Sequence, residues 1–181
     1  MASEEQHHTL ALPRFERPVK LLIVVAPYYK AIAEGLLAGA RAEIARAGAR
    51  SDVAEVPGAL EIPAAIAIAH RQSNFDGFVA LGCVIRGETT HYDTVCNDSS
   101  RGLMLLGLRG LCIGNAILTV ENMEQAVARA DPSGMNKGAG AAAAALHLVA
   151  LSRRWGRPGG GAGVSPEQIL IAGDEEGPAS A

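Results

Sequence analysis

The sequence predicts an α/β protein, a three-layer α/β/α sandwich around a four-stranded parallel sheet. Four apolar segments of strand length alternate with segments of helical spacing, and the connections between them are short. Two of the apolar segments, residues 19–26 and 78–85, are almost unbroken, which is typical of strands that helices cover on both faces. The alternation and the unbroken runs together indicate a doubly wound fold.

Prolines and glycines mark the limits of the first two strand–helix pairs. The strand at residues 19–26 stops at a proline, and the helix at residues 31–47 is rich in Ala, Leu, Glu and Arg before a glycine ends it. A short strand follows at residues 51–56. The next helix covers residues 61–71, and its proline falls in the first turn, where a missing backbone N–H is tolerated.

The second half of the chain repeats the pattern. The strand at residues 78–85 leads through an Arg-Gly turn into a helix that ends near Leu108. Residues 112–120 form the fourth predicted strand, and residues 121–130 the fourth helix. The last helix, residues 138–155, is rich in alanine, and its small side chains permit close helix packing, either within the fold or between subunits.

The composition describes one globular domain. The chain has 181 residues, of which 49% are hydrophobic and 19% charged, with a formal net charge of −3. The sequence lacks the excess of Lys and Arg that would indicate nucleic acid binding. It also contains no window that is long and apolar enough to span a membrane. Cys83, Cys96 and Cys112 are well separated, which predicts free thiols. Because the chain starts without an apolar signal core, we expect a cytoplasmic protein.

The two ends differ in character from the domain at residues 19–155. Residues 1–18 are polar and then irregular, and we expect an arm that can pair with a neighbouring subunit's sheet edge. Residues 156–181 are rich in Gly, Pro and Ala, and this composition predicts a disordered tail.

A cluster of polar side chains follows the strand at residues 78–85. The segment 82–93 reads GCVIRGETTHYD, so two threonines and a histidine stand where the strand gives way to a helix. Threonine hydroxyls can cap a helix start, and a helix start at the carboxyl end of a parallel strand is an anion site. His91 is there the best-placed group for proton transfer. The alternative is that Thr89 and Thr90 are caps only and His91 an ordinary surface residue.

Four strand-end segments are expected to meet on one rim of the sheet. They contain Tyr28-Tyr29 and residues 58–61, 86–91 and 115–122, and they bring an aromatic ring, a carboxylate, a histidine and amides together. Because the carboxyl ends of parallel strands lie at one edge, this set predicts a small-molecule pocket.

Two cations follow the fourth strand. Arg129 and Lys137 suit a phosphate or carboxylate group, the arginine by its fork and the lysine as a point charge. Alternatively, they only complement a helix dipole.

Three further patterns are weak. Gly138-x-Gly140-x-x-Ala143 has the spacing of a dinucleotide fingerprint, but a turn rather than a strand precedes it. His91, Asp93 and His147 match the residue types of an iron triad, but residues two apart diverge around a helix, so no metal site is expected. Lys137 as an imine-forming lysine is a minor option, because it follows no strand.

Four motifs in order resemble one enzyme family. They are PGALEIP (57–63), GCVIRGETTHYD (82–93), LTVENMEQAVARA (118–130) and NKG (136–138), and together they resemble the 6,7-dimethyl-8-ribityllumazine synthases of riboflavin biosynthesis. The resemblance implies a flavodoxin-like sheet and a transferase that acts on two small-molecule substrates. These are 5-amino-6-(D-ribitylamino)uracil and L-3,4-dihydroxy-2-butanone 4-phosphate, and no metal or organic cofactor takes part.

The resemblance also implies roles for individual residues. His91 is the proton-transfer residue. The pyrimidine and ribityl contacts are Tyr28, Ala59, Leu60, Glu61, Cys83, Val84, Ile85 and Asn115, and the phosphate contacts are Glu88, Thr89, Arg129 and Lys137. Three positions depart from the commonest pattern: Glu88 replaces a smaller uncharged residue, Asn115 an aromatic or apolar one, and Tyr28 a Phe or Trp.

The family assembles as homopentamers or multiples of them, with active sites between adjacent subunits. The resemblance therefore implies that the side of the chain with Arg129 and Lys137 faces the Tyr28 and His91 side of its neighbour. Two alternatives remain at this level: a flavin- or lumazine-binding module with little turnover, and a shell protein whose catalysis is incidental.

Overall fold

The computed structural model of the protein describes residues 10–156, which contain four strands and five helices. The strands are β1 (Lys20–Val25), β2 (Arg50–Glu55), β3 (Gly77–Ile85) and β4 (Ile113–Val120), and the helices are α1 (Lys30–Arg46), α2 (Glu61–Gln72), α3 (His91–Leu108), α4 (Met123–Ala130) and α5 (Lys137–Trp155). The predicted order of elements is confirmed, and most boundaries agree within one residue.

The four strands form one parallel sheet in the order β2-β1-β3-β4. β1 and β3 are the inner pair, in register from Leu21 opposite Gly77 to Val25 opposite Leu81. All four carboxyl ends therefore lie at the same edge of the sheet. This topology confirms the predicted α/β/α sandwich with a flavodoxin-like sheet.

The apolar runs of the inner strands divide between two cores. In β1, alternate residues such as Ile23 join the core beneath α1, α4 and α5, whereas their neighbours such as Val24 join the core beneath α2 and α3. β3 divides in the same way, with Val79 on the first face and Phe78 on the second. A strand covered on both faces needs no polar positions, which explains why these segments read as unbroken apolar runs.

Glycines allow α5 to lie against its neighbours with almost no gap. A Cβ on Gly138 would overlap the backbone carbonyl of Leu36 in α1, and one on Gly114 of β4 would overlap the carbonyl of Ala141. The buried residues of α5 are otherwise mostly alanine. The close packing that the small side chains predict is thus present between α5, α1 and β4.

The start of α4 differs from the prediction by two residues. We predicted a helix from residue 121, but Asn122 is extended, with φ −152° and ψ 170°, and the helix begins at Met123. The Asn122 side chain accepts a hydrogen bond of 3.0 Å from the Gln125 N–H, and the Gln125 side chain accepts one of 3.0 Å from the Glu121 N–H. This reciprocal capping holds Glu121 outside the helix.

The described part of the N-terminal arm, residues 10–18, packs against its own domain. Arg153 of α5 donates hydrogen bonds to the carbonyl oxygens of Arg17 (2.8 Å) and Pro18 (2.7 Å), and its guanidinium lies 5.6 Å from the Phe15 ring. The same side chain pairs with Asp76 at 2.8 Å. The remainder of the predicted arm, and the predicted tail beyond Gly156, lie outside the described residues.

Candidate active site

A cavity of about 410 Å³ lies at the carboxyl edge of the sheet. Segments that follow β1, β2 and β3 enclose it. Nine of the residues predicted for the site line this cavity: Tyr28, Ala59, Leu60, Glu61, Cys83, Val84, Ile85, Thr89 and His91. The prediction that these three strand ends meet is therefore confirmed, and we refer to this space as the first cavity.

His91 is the first residue of α3 and is exposed on the wall of the first cavity. The threonines before it were expected to cap the helix with their hydroxyls. Thr90 occupies the N-cap position, but its side chain makes no capping hydrogen bond, so that expectation was wrong for Thr90. The Thr89 hydroxyl accepts a long bond of 3.4 Å from the His91 N–H. The first turn of α3 is thus capped only weakly by its own residues.

Two side chains of the first cavity carry raised pKa values. Burial raises the pKa of the Cys83 thiol to about 11. Burial also raises the pKa of the Tyr29 phenol, with smaller contributions from Tyr28 and Cys83. Both groups stay protonated at neutral pH, so this wall of the cavity is uncharged.

The raised pKa predicts that Cys83 resists alkylation. At pH 8 only about a thousandth of the thiol is thiolate, whereas an unfolded chain carries about a quarter. We expect iodoacetamide to label Cys83 far more slowly in the native protein than in urea, and the native rate to rise steadily between pH 8 and 10. Mass spectrometry of the peptide that contains Cys83 measures this, and equal native and unfolded rates at pH 8 would contradict it.

The rim of the first cavity presents an aromatic ring and a carboxylate. Tyr28 is 75% exposed and meets Tyr29 edge to face, with ring centroids 5.1 Å apart. The Glu61 carboxylate lies over Gly58, where an added Cβ would approach its Oε2 to 2.9 Å. Tyr28 therefore offers a free face for stacking on a flat ring, and Glu61 offers acceptors for hydroxyl groups.

A second cavity of about 430 Å³ lies along the free edge of β4. It contains Arg129 of α4 and Lys137 at the start of α5, and the Asn115 side chain borders it. Arg129 donates a hydrogen bond of 3.1 Å to the Gln125 carbonyl, and within residues 10–156 neither cation forms a salt bridge. Both positive charges are therefore available to an anion.

The position of Asn115 corrects the prediction that residues 115–122 all lie on the rim, because only the end of this segment reaches the carboxyl edge. Asn115 is the third residue of β4, opposite Ala80 of β3, and lies about 16 Å before the carboxyl end of the strand. Its side-chain oxygen accepts a hydrogen bond of 2.8 Å from the Ile117 N–H on the same strand. Asn115 therefore belongs with the cations of the second cavity and not with Tyr28 and His91.

Residues 18–153 match the family model described as 6,7-dimethyl-8-ribityllumazine synthase. The chain belongs to this family.

Similar proteins with the same name occur in several bacteria. A 6,7-dimethyl-8-ribityllumazine synthase of Jannaschia sp. is 56% identical over 165 residues, which cover 91% of this chain and 93% of the relative. One from Methylorubrum extorquens is 59% identical over 140 residues, 74% of this chain and 81% of the relative. One from Novosphingobium aromaticivorans is 53% identical over 136 residues, 75% of this chain and 98% of the relative. The family resemblance and the predicted transferase class are confirmed, and no relative's name supports the alternative of a binding module.

Three residues that line the first cavity lie outside the segments predicted for it, and one of them is Ala26, directly after β1. Tyr92 and Val95 also border the first cavity. They follow His91 by one and four positions, and residues four apart share a helix face, so helical spacing from His91 would have found Val95. Glu88, predicted as a phosphate contact, is exposed and lines neither cavity.

Within residues 10–156, no group of three or more His, Cys, Asp or Glu side chains is arranged to hold a metal ion. The glycines at the start of α5 follow a turn, where Asn136 has φ 46°, and not a strand, so the dinucleotide context is absent there. None of the helices in the described part of the chain is long and apolar enough to cross a membrane.

Proposed function

We propose that the chain condenses 5-amino-6-(D-ribitylamino)uracil with L-3,4-dihydroxy-2-butanone 4-phosphate to give 6,7-dimethyl-8-ribityllumazine, phosphate and water. Membership of the lumazine synthase family supports this reaction. The observation that carries it is the first cavity, where a free aromatic face, a carboxylate and a histidine surround one space. The reaction as proposed uses no metal and no organic cofactor.

The first cavity suits the pyrimidine substrate. In our proposal, Tyr28 stacks on the pyrimidine ring while Cys83, Val84 and Ile85 run along its edge. Ala59 and Leu60 line the ribityl chain, and Glu61 accepts hydrogen bonds from its hydroxyl groups. A neutral wall agrees with this assignment, because a pyrimidinedione and a sugar alcohol carry no charge that must be balanced.

The second cavity suits the phosphate of the other substrate. Arg129 can bind two phosphate oxygens with its fork, and Lys137 adds a point charge nearby. Thr89 and the backbone N–H of Glu88 complete the phosphate site from the α3 side, while Asn115, which borders the second cavity, contacts the pyrimidine. An anion clamp of this kind favours departure of phosphate, because it stabilises the charge that develops on the leaving group.

His91 transfers protons in the order of steps that we propose. The amine of the pyrimidine attacks the ketone, and the resulting carbinolamine loses water to give an imine. Loss of phosphate then leaves an enol, which tautomerises to a ketone. The ribitylamino nitrogen closes the ring on that new ketone, and a second water is lost. Each addition and dehydration needs protons moved between nitrogen and oxygen near neutral pH, which imidazole suits. Holding the two substrates in register supplies much of the remaining acceleration.

We further propose that adjacent subunits complete each site, in a homopentamer or a multiple of one. In a single chain, His91 lines the first cavity and Arg129 the second, so a substrate that needs both requires two copies. Exposed apolar side chains support association. They are Met104, Leu105 and Leu108 on α3, and Met123, Val127 and Met135 on or beside α4.

Subunit complementation tests both the reaction and the shared site. Arg129→Ala and His91→Ala are each expected to be nearly inactive alone. In a ring built from a random equal mixture, about a quarter of the interfaces join an intact first cavity to an intact second cavity. Unfolding the two variants together and refolding them should therefore restore about a quarter of wild-type lumazine formation, followed by absorbance.

The control for complementation is each variant refolded alone, which should stay inactive. A mixture no more active than its components would contradict the shared site. Full activity of both single variants would contradict the proposed reaction scheme instead.

We also propose a cytoplasmic location. Cys83, Cys96 and Cys112 are all free thiols, which agrees with a reducing compartment.

A further inference from the structure

Arg86 stands between the sheet and the start of α3. It directly follows β3, and its backbone N–H donates a hydrogen bond of 2.9 Å to the Val120 carbonyl at the end of β4. This bond continues the β3–β4 ladder by one residue, so the backbone of Arg86 has a defined position. The four residues that follow it, before α3 begins, are exposed and belong to no regular element.

The Arg86 side chain has three partners, two on α3 and one just after β4. Its Nε donates a bond of 2.8 Å to the Glu121 carboxylate just after β4, and its Nη1 makes a longer contact of 3.4 Å with the Asp93 carboxylate in the first turn of α3. Its guanidinium carbon lies 4.0 Å from the centre of the Tyr92 ring. A guanidinium can make these contacts at once, because its donors point in different directions and its flat face stacks on an aromatic ring.

The first turn of α3 has few other attachments. Its side-chain cap is one bond of 3.4 Å, and the two fully buried residues of the helix, Ser99 and Leu103, lie two turns or more beyond His91. Tyr92 and Asp93, which contact Arg86, immediately follow His91 in the chain. The direction of the His91 side chain therefore depends on what holds this turn.

We infer that Arg86 is a positioning residue for the proposed reaction: its guanidinium holds the first turn of α3, and with it His91, against the end of β4. The inference rests on the proposed function, because it takes His91 as the proton-transfer residue. Arg86 lines neither cavity, so it acts through His91 and not on the substrates. Exposed ion pairs contribute little to folding, so its removal should affect the rate more than the stability.

The test is Arg86→Lys. Lysine keeps the positive charge but cannot bond both carboxylates with a planar guanidinium while stacking on the Tyr92 ring. We expect kcat to fall about tenfold to a hundredfold, because small displacements of a catalytic group have effects of that size. The KM of each substrate should change less than about twofold, and thermal unfolding should be unaltered. Glu121→Gln, which weakens the shortest contact, should lower kcat in the same direction.

A double variant separates positioning from a general structural effect. Once His91 is replaced by alanine, adding Arg86→Lys should cause no further loss of kcat, since the residue it positions is gone. Arg101→Lys is the matched control: Arg101 is also an exposed arginine paired with a carboxylate, 3.7 Å from Asp98 on α3, and should retain wild-type kcat.

The outcomes distinguish this inference from the proposed function. An unchanged kcat in Arg86→Lys, or a further loss of kcat in the His91→Ala background, would overturn the positioning role of Arg86. If the His91→Ala enzyme is itself slow, the proposed reaction scheme is unaffected by that result. A His91→Ala enzyme of wild-type rate would remove the scheme itself and this inference with it.

Discussion

The His91→Ala enzyme is expected to form lumazine with a kcat reduced about 10² to 10⁴-fold, the usual contribution of a positioned proton-transfer group. His91 is exposed on the first cavity, and the Cys83 thiol and Tyr29 phenol on the same wall stay protonated because burial raises their pKa values. Neither of these groups can therefore replace imidazole as a base near neutral pH. The measurement is steady-state kcat and KM with both substrates, followed by product absorbance.

The KM values separate a catalytic from a binding role for His91. Because Tyr28, Glu61 and the β3 residues that line the first cavity remain, we expect the KM of the pyrimidine substrate to change little. His70→Ala is the control. His70 is an exposed histidine in the last turn of α2, and nine residues, about 13 Å of helix, separate it from Glu61 at the cavity. A wild-type kcat in His91→Ala, or an equal loss in His70→Ala, would refute the assignment.

Replacing Gly138 with alanine is expected to destabilise the fold by about 3 kcal/mol, the upper part of the range for overpacked sites. The added Cβ would overlap the Leu36 carbonyl of α1, and that atom belongs to the helix backbone and cannot rotate away. On the other side, α5 is held against β4 by the contact of Gly114 with Ala141, so the helix has no free direction in which to shift. Urea unfolding followed by circular dichroism measures the change.

Gly140→Ala is the matched control, two residues further along the same helix. A Cβ there meets nothing within 4 Å, so only the helix propensity changes. Alanine is favoured over glycine in a helix, and we expect stability to rise by about 0.5 to 1 kcal/mol. If both substitutions had the same effect, the close approach of α5 to α1 would not limit stability.

Much of the fold could be predicted because its signals are local. The unbroken runs at residues 19–26 and 78–85 indicated strands covered on both faces, and the two cores show why. The start of α4 was misplaced because the bonds that join Asn122, Gln125 and Glu121 depend on side-chain geometry rather than on composition. The hydroxyl cap expected at Thr90 failed for the same reason.

The candidate site was predictable only in part. Tyr28, Glu61 and His91 could be grouped in advance, because each follows a parallel strand and the carboxyl ends of such strands share an edge. Asn115 could not be placed in this way, since it lies inside β4 and its surroundings depend on which element covers the strand edge. The contacts of Arg86 with Glu121 and Asp93, 35 and 7 residues away, likewise appear only once the chain is folded.

The sequence by itself determined the layered fold, the family and the first cavity. Unbroken apolar runs, short motifs and strand ends are all properties of neighbouring residues. Only the tertiary structure decided which residues border the cations Arg129 and Lys137 in the second cavity, Asn115 among them. The physical reason is the packing of α5: glycines at two close contacts let it lie directly against α1 and β4, so residues of α5 such as Lys137 and Ala141 line the second cavity beside β4.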